Sequence, residues 1–210
     1  IQEGNGIPAD GDLWVAYSVN KEDMWVSRIP VPVQIQASAH ADDDFSKAGS
    51  IAELTDWNIY SPLWAPVTLD GKWLRLQDKD PFDYAKVERK IPASKELNVS
   101  FDLQAGQNDK GTLQIEFLDE NGIACSRIEL TDDGIFRLKG GSRFANMMKY
   151  EAGKIYHVEA VLSTVDRNIQ VYVDGKRVGL RMFYAPVASI ERIAFRTGIP
   201  RTFPTCLLYT

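Results

Sequence analysis

The 210-residue chain is one-quarter charged, with a formal net charge of −5, a length and balance that suit one sizeable core plus a short extra piece and give polyanions such as nucleic acid no general attraction. No run of 18 apolar residues occurs, and the opening residues lack the basic-then-apolar order of a signal peptide, so no spanning helix or leader is read here. With only Cys125 and Cys206 present, at most one disulfide can form and no cysteine zinc site can be completed; the two read as free, half-buried thiols.

In chain order, Ile1 to Gly6 lack a start methionine and the text is strand-rich by Asp12, which reads as a segment of a longer polypeptide. Asp12 to Ser18 and Met24 to Ile29 are runs of Trp, Val, Tyr and Ile joined by a polar turn, and predict one β-hairpin. A lone hairpin is marginal in water, so it must pack on the following domain or belong to a sheet whose other strands are missing from this segment. The two prolines of Ile29-Pro30-Val31-Pro32-Val33 forbid ladder donation and mark a stiff linker. The resulting division is 1–33 for hairpin and linker, and 34–210 for the main domain. From Gln36 to Asp56 the text is polar, with Asp42-Asp43-Asp44 read as a solvated loop. Ser50-Ile51-Ala52-Glu53 has capping-box spacing for a single helical turn.

Beyond it the periodicity is two. Trp73 to Leu76 follows an Asp70-Gly71 turn; Leu97, Val99, Phe101 and Leu103 alternate with polar partners, as do Leu113, Ile115 and Phe117. After Ile123 and Cys125 the apolar phase slips by one to Ile128 and Leu130, which calls for a bulge or bend. Tyr156 to Leu162, Ile169 to Val173, and Ile193 with Phe195 continue the series, and Leu207-Leu208-Tyr209 reads as a closing strand. Asn121-Gly122, Asp133-Gly134 and Asp174-Gly175 supply hairpin turns between such runs. Strands at this spacing without intervening helices predict an all-β, antiparallel β-sandwich.

Two stretches resemble known families. Asp10-Gly11-Asp12-Leu13-Trp14 and the hairpin through Pro30 resemble the end of a sialidase-like, Asp-box-type β-propeller of bacterial polysaccharide-degrading proteins, although only part of the Asp-box order is present. Trp57-Asn58-Ile59-Tyr60-Ser61-Pro62-Leu63-Trp64-Ala65-Pro66, Asp80-Pro81-Phe82-Asp83-Tyr84-Ala85 and Phe195-Arg196-Thr197-Gly198 resemble the sandwich that follows such propellers. Val171-Tyr172-Val173-Asp174-Gly175-Lys176 is similar to a strand-and-turn phrase of laminin-G-like and concanavalin A-like sandwiches. The resemblance implies a concanavalin A-like jelly roll that is a monomeric, non-catalytic module with a glycan or polysaccharide as partner. It further implies packing against an upstream propeller that holds the catalytic residues of a glycoside hydrolase, and a periplasmic or extracellular address. It implies no cofactor, while leaving room for a structural calcium at a sheet edge with ligands the residues do not identify.

His40 lies in a polar loop and His157 in a strand pattern, too far apart for a zinc helix and without a nucleophile's geometry. A concanavalin-like glycosidase or lyase would need two acids on one sheet face, but Asp119 and Glu120 fall at a turn, and Glu116, Glu129 and Glu159 read as outward residues with carboxylates in water. The better lead is aromatic: Trp57, Tyr60, Trp64, Trp73 and Tyr84, with Phe82 among them. Sugar faces stack on such rings, and Trp or Tyr edges add hydrogen bonds. Trp57 and Trp64 suit a structural role better still, plugging the sandwich end or the contact with the upstream hairpin.

Overall fold

The computed structural model describes residues 12–19, 23–30, 41–79 and 83–198, and the chain divides into two compact units, residues 1–36 and 37–210. In the first, β1 (Asp12–Val19) and β2 (Asp23–Pro30) pair antiparallel from Asp12 opposite Pro30 to Val19 opposite Asp23. Residues 31–33 of the linker reading and the Leu207-Leu208-Tyr209 strand lie outside the described residues.

In the second unit, alternation that buries one face of each strand produces two antiparallel sheets. The smaller joins β7 (Glu96–Gln104), β12 (Ile155–Ser163), β13 (Asn168–Val173) and β14 (Lys176–Met182) in the order β14-β13-β12-β7. The larger contains β3 (Trp57–Tyr60), β6 (Lys86–Ser94), β8 (Leu113–Leu118), β9 (Ala124–Leu130), β10 (Ile135–Gly140), β11 (Arg143–Lys149) and β15 (Ile190–Thr197), ordered β11-β10-β9-β8-β15-β6-β3. Between them lies one apolar core: Ile115, Phe117, Ile128 and Phe136 from the large sheet meet Tyr156, Val158, Leu162, Ile169 and Val171 from the small one. A hairpin of β4 (Val67–Asp70) and β5 (Trp73–Leu76) adds a second cluster in which Val67, Leu74 and Leu76 pack with Trp57, Ile59, Val87 and Phe195.

The turn chemistry follows the sequence reading. Asp174 and Gly175 both sit at positive φ, 50° and 75°, as a two-residue hairpin between β13 and β14 requires. The predicted phase slip is a register shift where β8 meets β9, between Phe117 and Leu118. Gly179 serves a different purpose: a Cβ there would lie 2.6 Å from Met147 Sδ and 3.1 Å from Leu138 Cδ2, so a larger residue would have to push these side chains aside where β14 meets the large sheet.

The run Asp42-Asp43-Asp44 is an exposed loop, as read, but it is tethered. Asp43 Oδ2 accepts from Arg89 Nε at 2.8 Å, and Arg89, 5% exposed on β6, also reaches Asp56 at 3.2 Å. Asp44 caps a short 3-10 turn, Phe45–Lys47, by accepting from Ser46 N. Ser50 to Glu53 does form a single turn, Ile51–Glu53, but Glu53 accepts from Gly49 N at 2.9 Å, one residue earlier than a capping box places it. A cation buried under β6 thus organises a stretch that looks merely polar in sequence.

Candidate outer-face glycan site

Because β-strand side chains alternate, the large sheet's second face collects the residues that the core does not use. The register aligns them in two rows that cross the sheet. One row runs Tyr60, Lys86, Arg196, Gln114, Glu129, Arg137, Asn146. Its neighbour runs Asn58, Glu88, Ala194, Glu116, Arg127, Lys139, Phe144. With neighbouring strands about 4.8 Å apart, the track is roughly 30 Å long.

Its charges are matched in place. Arg127 reaches Glu116 Oε1 through Nε at 2.8 Å and Nη2 at 2.5 Å. Arg137 Nη2 lies 2.5 Å from Glu129, while Glu88 is held by Lys86 at 2.6 Å and Arg192 at 3.2 Å. Glu116 and Glu129 are therefore not the water-solvated carboxylates expected from alternation; their side chains are 12% and 5% exposed. An arginine on the adjacent strand replaces the water that each would otherwise need. Neither stands as one of two open carboxylates facing across a cleft, the arrangement a glycosidase reading requires. Glu159 lies on the other sheet and accepts from Asn98 at 3.1 Å.

Aromatic rings bracket the track. At the β3 end, Tyr60 donates to both Asp83 oxygens at 3.0 and 3.1 Å, and its ring lies 5.2 Å from that of Tyr84. The Arg196 guanidinium sits 3.8 Å from the Tyr84 ring centre. Thr197 pins this corner: Ala85 N donates to its Oγ1 and its own N donates to Ala85 O, both at 2.9 Å. At the far end Arg137 lies over Phe144 at 4.2 Å and Lys139 over Tyr184 at 4.4 Å. Burial pushes the Tyr184 phenol up to about 12; Arg127 pulls against that rise, and Glu116 and Cys125 add to it.

Of the five ring residues singled out in sequence, only Tyr60 and Tyr84 come together on this face. Trp57 turns to the other side of β3, where its ring meets Phe45 at 5.5 Å and Phe195 at 6.4 Å. Trp73 is half-buried on the β4–β5 hairpin with Lys72 at 5.7 Å. Trp64 is 63% exposed beside Leu63, 82% exposed, in a turn closed by Ala65 N donating to Pro62 O. Phe82 lies outside the described residues. The sequence reading missed Arg196, Gln114, Arg127, Arg137 and Tyr184. For the three arginines the signal was charge placed opposite the apolar phase on β9, β10 and β15, while Gln114 and Tyr184 carried none.

His157 pairs with Asp102 at 2.8 Å on the wet face of the small sheet. Among the described residues no group of three or more His, Cys, Asp or Glu is placed to hold a metal ion. Cys125 is a free, fully buried thiol whose pKa burial raises to about 12. With so little thiolate it should resist iodoacetamide at pH 8 in the native chain and react at least a hundredfold faster in denaturant. Peptide mass mapping of the two samples checks this, and equal labelling would contradict the burial.

Residues 57–207 match the model of a family described as sialidase-like, CBM domain. No match was found among curated proteins. Among solved structures, a protein described as a sialidase matches 99% of this chain at 86% identity and a TM-score of 0.87, and the chain spans 19% of that protein's length. The apo Crh5 transglycosylase matches at 10% identity and a TM-score of 0.62, over 78% of this chain and 71% of that one, a likeness of fold alone.

Proposed function

The chain belongs to the sialidase-like, CBM domain family, and on that premise we propose that its sandwich binds glycan, without catalysing its cleavage, on the outer face of the large sheet. The observation that carries this reading is the Tyr60 and Tyr84 pair at one end of a continuous polar track. A pyranose has an apolar face and a hydroxylated rim, and such a pair offers it a ring to stack on with hydrogen-bonding groups alongside. Tyr60 is 46% exposed while its hydroxyl is fixed by Asp83, so the platform is already ordered before ligand arrives.

The module works within a longer, sialidase-like polypeptide, as a monomer at the periplasmic or extracellular side, where polymeric glycans are met. Packing against a preceding propeller is the second reading. Leu63 and Trp64, protruding from one tight turn, favour it as a docking knob.

Affinity electrophoresis and calorimetry of the 210-residue chain against a glycan panel test the proposal. Tyr60→Ala and Tyr84→Ala should each weaken binding roughly tenfold or more, as loss of a central aromatic contact does. Trp73→Ala should bind as the parent does. Retention of no glycan by the chain, or unchanged affinity in both tyrosine variants, would sink the reading.

A further inference from the structure

The track carries more than an aromatic corner. Each carboxylate of the two rows is matched by at least one cation, and Asp83 at the Tyr60 corner by the Tyr60 hydroxyl, whereas Arg196 and Lys139 form no ion pair among the described residues and lie over aromatic rings instead. Cations therefore exceed carboxylates along this face, in a chain whose overall charge is negative.

The centre of the first row is also unfulfilled. Gln114 is fully buried, and neither its amide oxygen nor its amide nitrogen has a hydrogen-bond partner. Arg196, directly opposite it in register, has an Nε without a partner, and so does Arg137 further along the same row. Buried polar groups in folded proteins are nearly always satisfied, and clustered exceptions mark places where something else supplies the missing partner. Three of the four such residues among the described residues fall in one cross-strand row, so the shortfall is organised rather than scattered. These atoms are themselves closed off from solvent, so a ligand meets the row through the guanidinium groups of Arg196 and Arg137. The guanidinium of Arg196, already ordered by Tyr84, presents the planar fork that suits carboxylate or sulfate.

We propose that the outer-face track selects an acidic glycan, with Arg196 receiving an anionic group of the sugar beside the Tyr60 and Tyr84 rings and Arg137, further along the same row, continuing the contact across the sheet. This rests on the glycan-binding reading above and specifies its ligand class. Arg196 and Arg137 are three strands apart in the sheet, about 14 Å, so the ligand that engages both is an oligomer and not a single sugar.

The test measures binding of the 210-residue chain to a polyuronate, a sulfated polysaccharide and a neutral polysaccharide, at low and at moderate salt. An acidic glycan should bind at least tenfold tighter than the neutral one and weaken as salt rises. Arg196→Gln should remove most of that preference, with thermal melting confirming that it folds. Should that variant fail to fold, Lys139→Gln provides the second reading of the same preference, with a smaller loss expected. Which acidic probe binds tells carboxylate from sulfate as the recognised group. Equal binding of neutral and acidic glycans, with Arg196→Gln unchanged but Tyr60→Ala impaired, overturns acidic selection and leaves glycan binding standing. Retention of none of the three probes removes both.

Discussion

Replacing Glu116 by leucine is expected to destabilise the sandwich by about 3–5 kcal/mol, because it strands a guanidinium that is nearly out of water. Arg127 is 17% exposed and directs both Nε and Nη2 to Glu116, so removing the carboxylate leaves a charge with no equivalent partner. The double variant Glu116→Leu with Arg127→Met should recover most of the loss, since it leaves no unmatched ion and keeps the volume. Denaturant melts of the parent, both single variants and the double variant measure the coupling. A cost below about 1 kcal/mol with no coupling would place the pair with exposed surface bridges instead. A second readout follows from Tyr184, whose phenol burial raises to about 12. Arg127 lowers that value and Glu116 raises it, so in Glu116→Leu the phenol should ionise at lower pH than in the parent.

Phe117→Ala should cost about 3–5 kcal/mol by a different route, the lost transfer of a ring plus the cavity it leaves. Phe117 is fully buried on β8, and Ile193 and Ser126 lie opposite it on the two flanking strands. It belongs to the cluster that joins both sheets. For a domain of this size the midpoint of thermal unfolding should fall by about 10 °C. An unchanged denaturant slope would assign the loss to packing. A loss under about 1 kcal/mol would mean that the sheets do not meet at this ring. Glycan binding measured well below the midpoint should persist, since the ring points away from the track.

Much of the architecture was legible because period-two alternation is written locally. Leu97, Val99, Phe101 and Leu103 point inward on β7 while Glu96, Asn98, Ser100, Asp102 and Gln104 stay exposed, as their polarity demands. The strand β6 was harder to see. Lys86, Glu88, Arg89 and Lys90 put charge on both faces, and the structure satisfies it with partners from distant segments, Asp43 for Arg89 and Arg192 for Glu88. The aromatic group was visible as composition but not as a place. Trp57 and Tyr60 are three positions apart on one strand, so they face opposite ways, and the expected cluster divides between core and surface.

By itself, the sequence determined the class: alternation, Gly-containing turns and the absence of helical periodicity leave an antiparallel sandwich as the way to bury these apolar faces. It also marked Tyr60 and Tyr84 as rings suited to sugar. The tertiary structure alone decided which residues share the proposed site, because a row across a sheet is set by pairing between strands far apart in the chain. Ala85 and Thr197, 112 positions apart, bring Tyr84 against Arg196, and the registers of β8, β9 and β10 line Gln114, Glu129 and Arg137 beside them. Side-chain direction is a local property of a strand, whereas its neighbours depend on which strands pair and in what register. For the same reason the chain's net negative charge gave no hint of a face on which cations prevail.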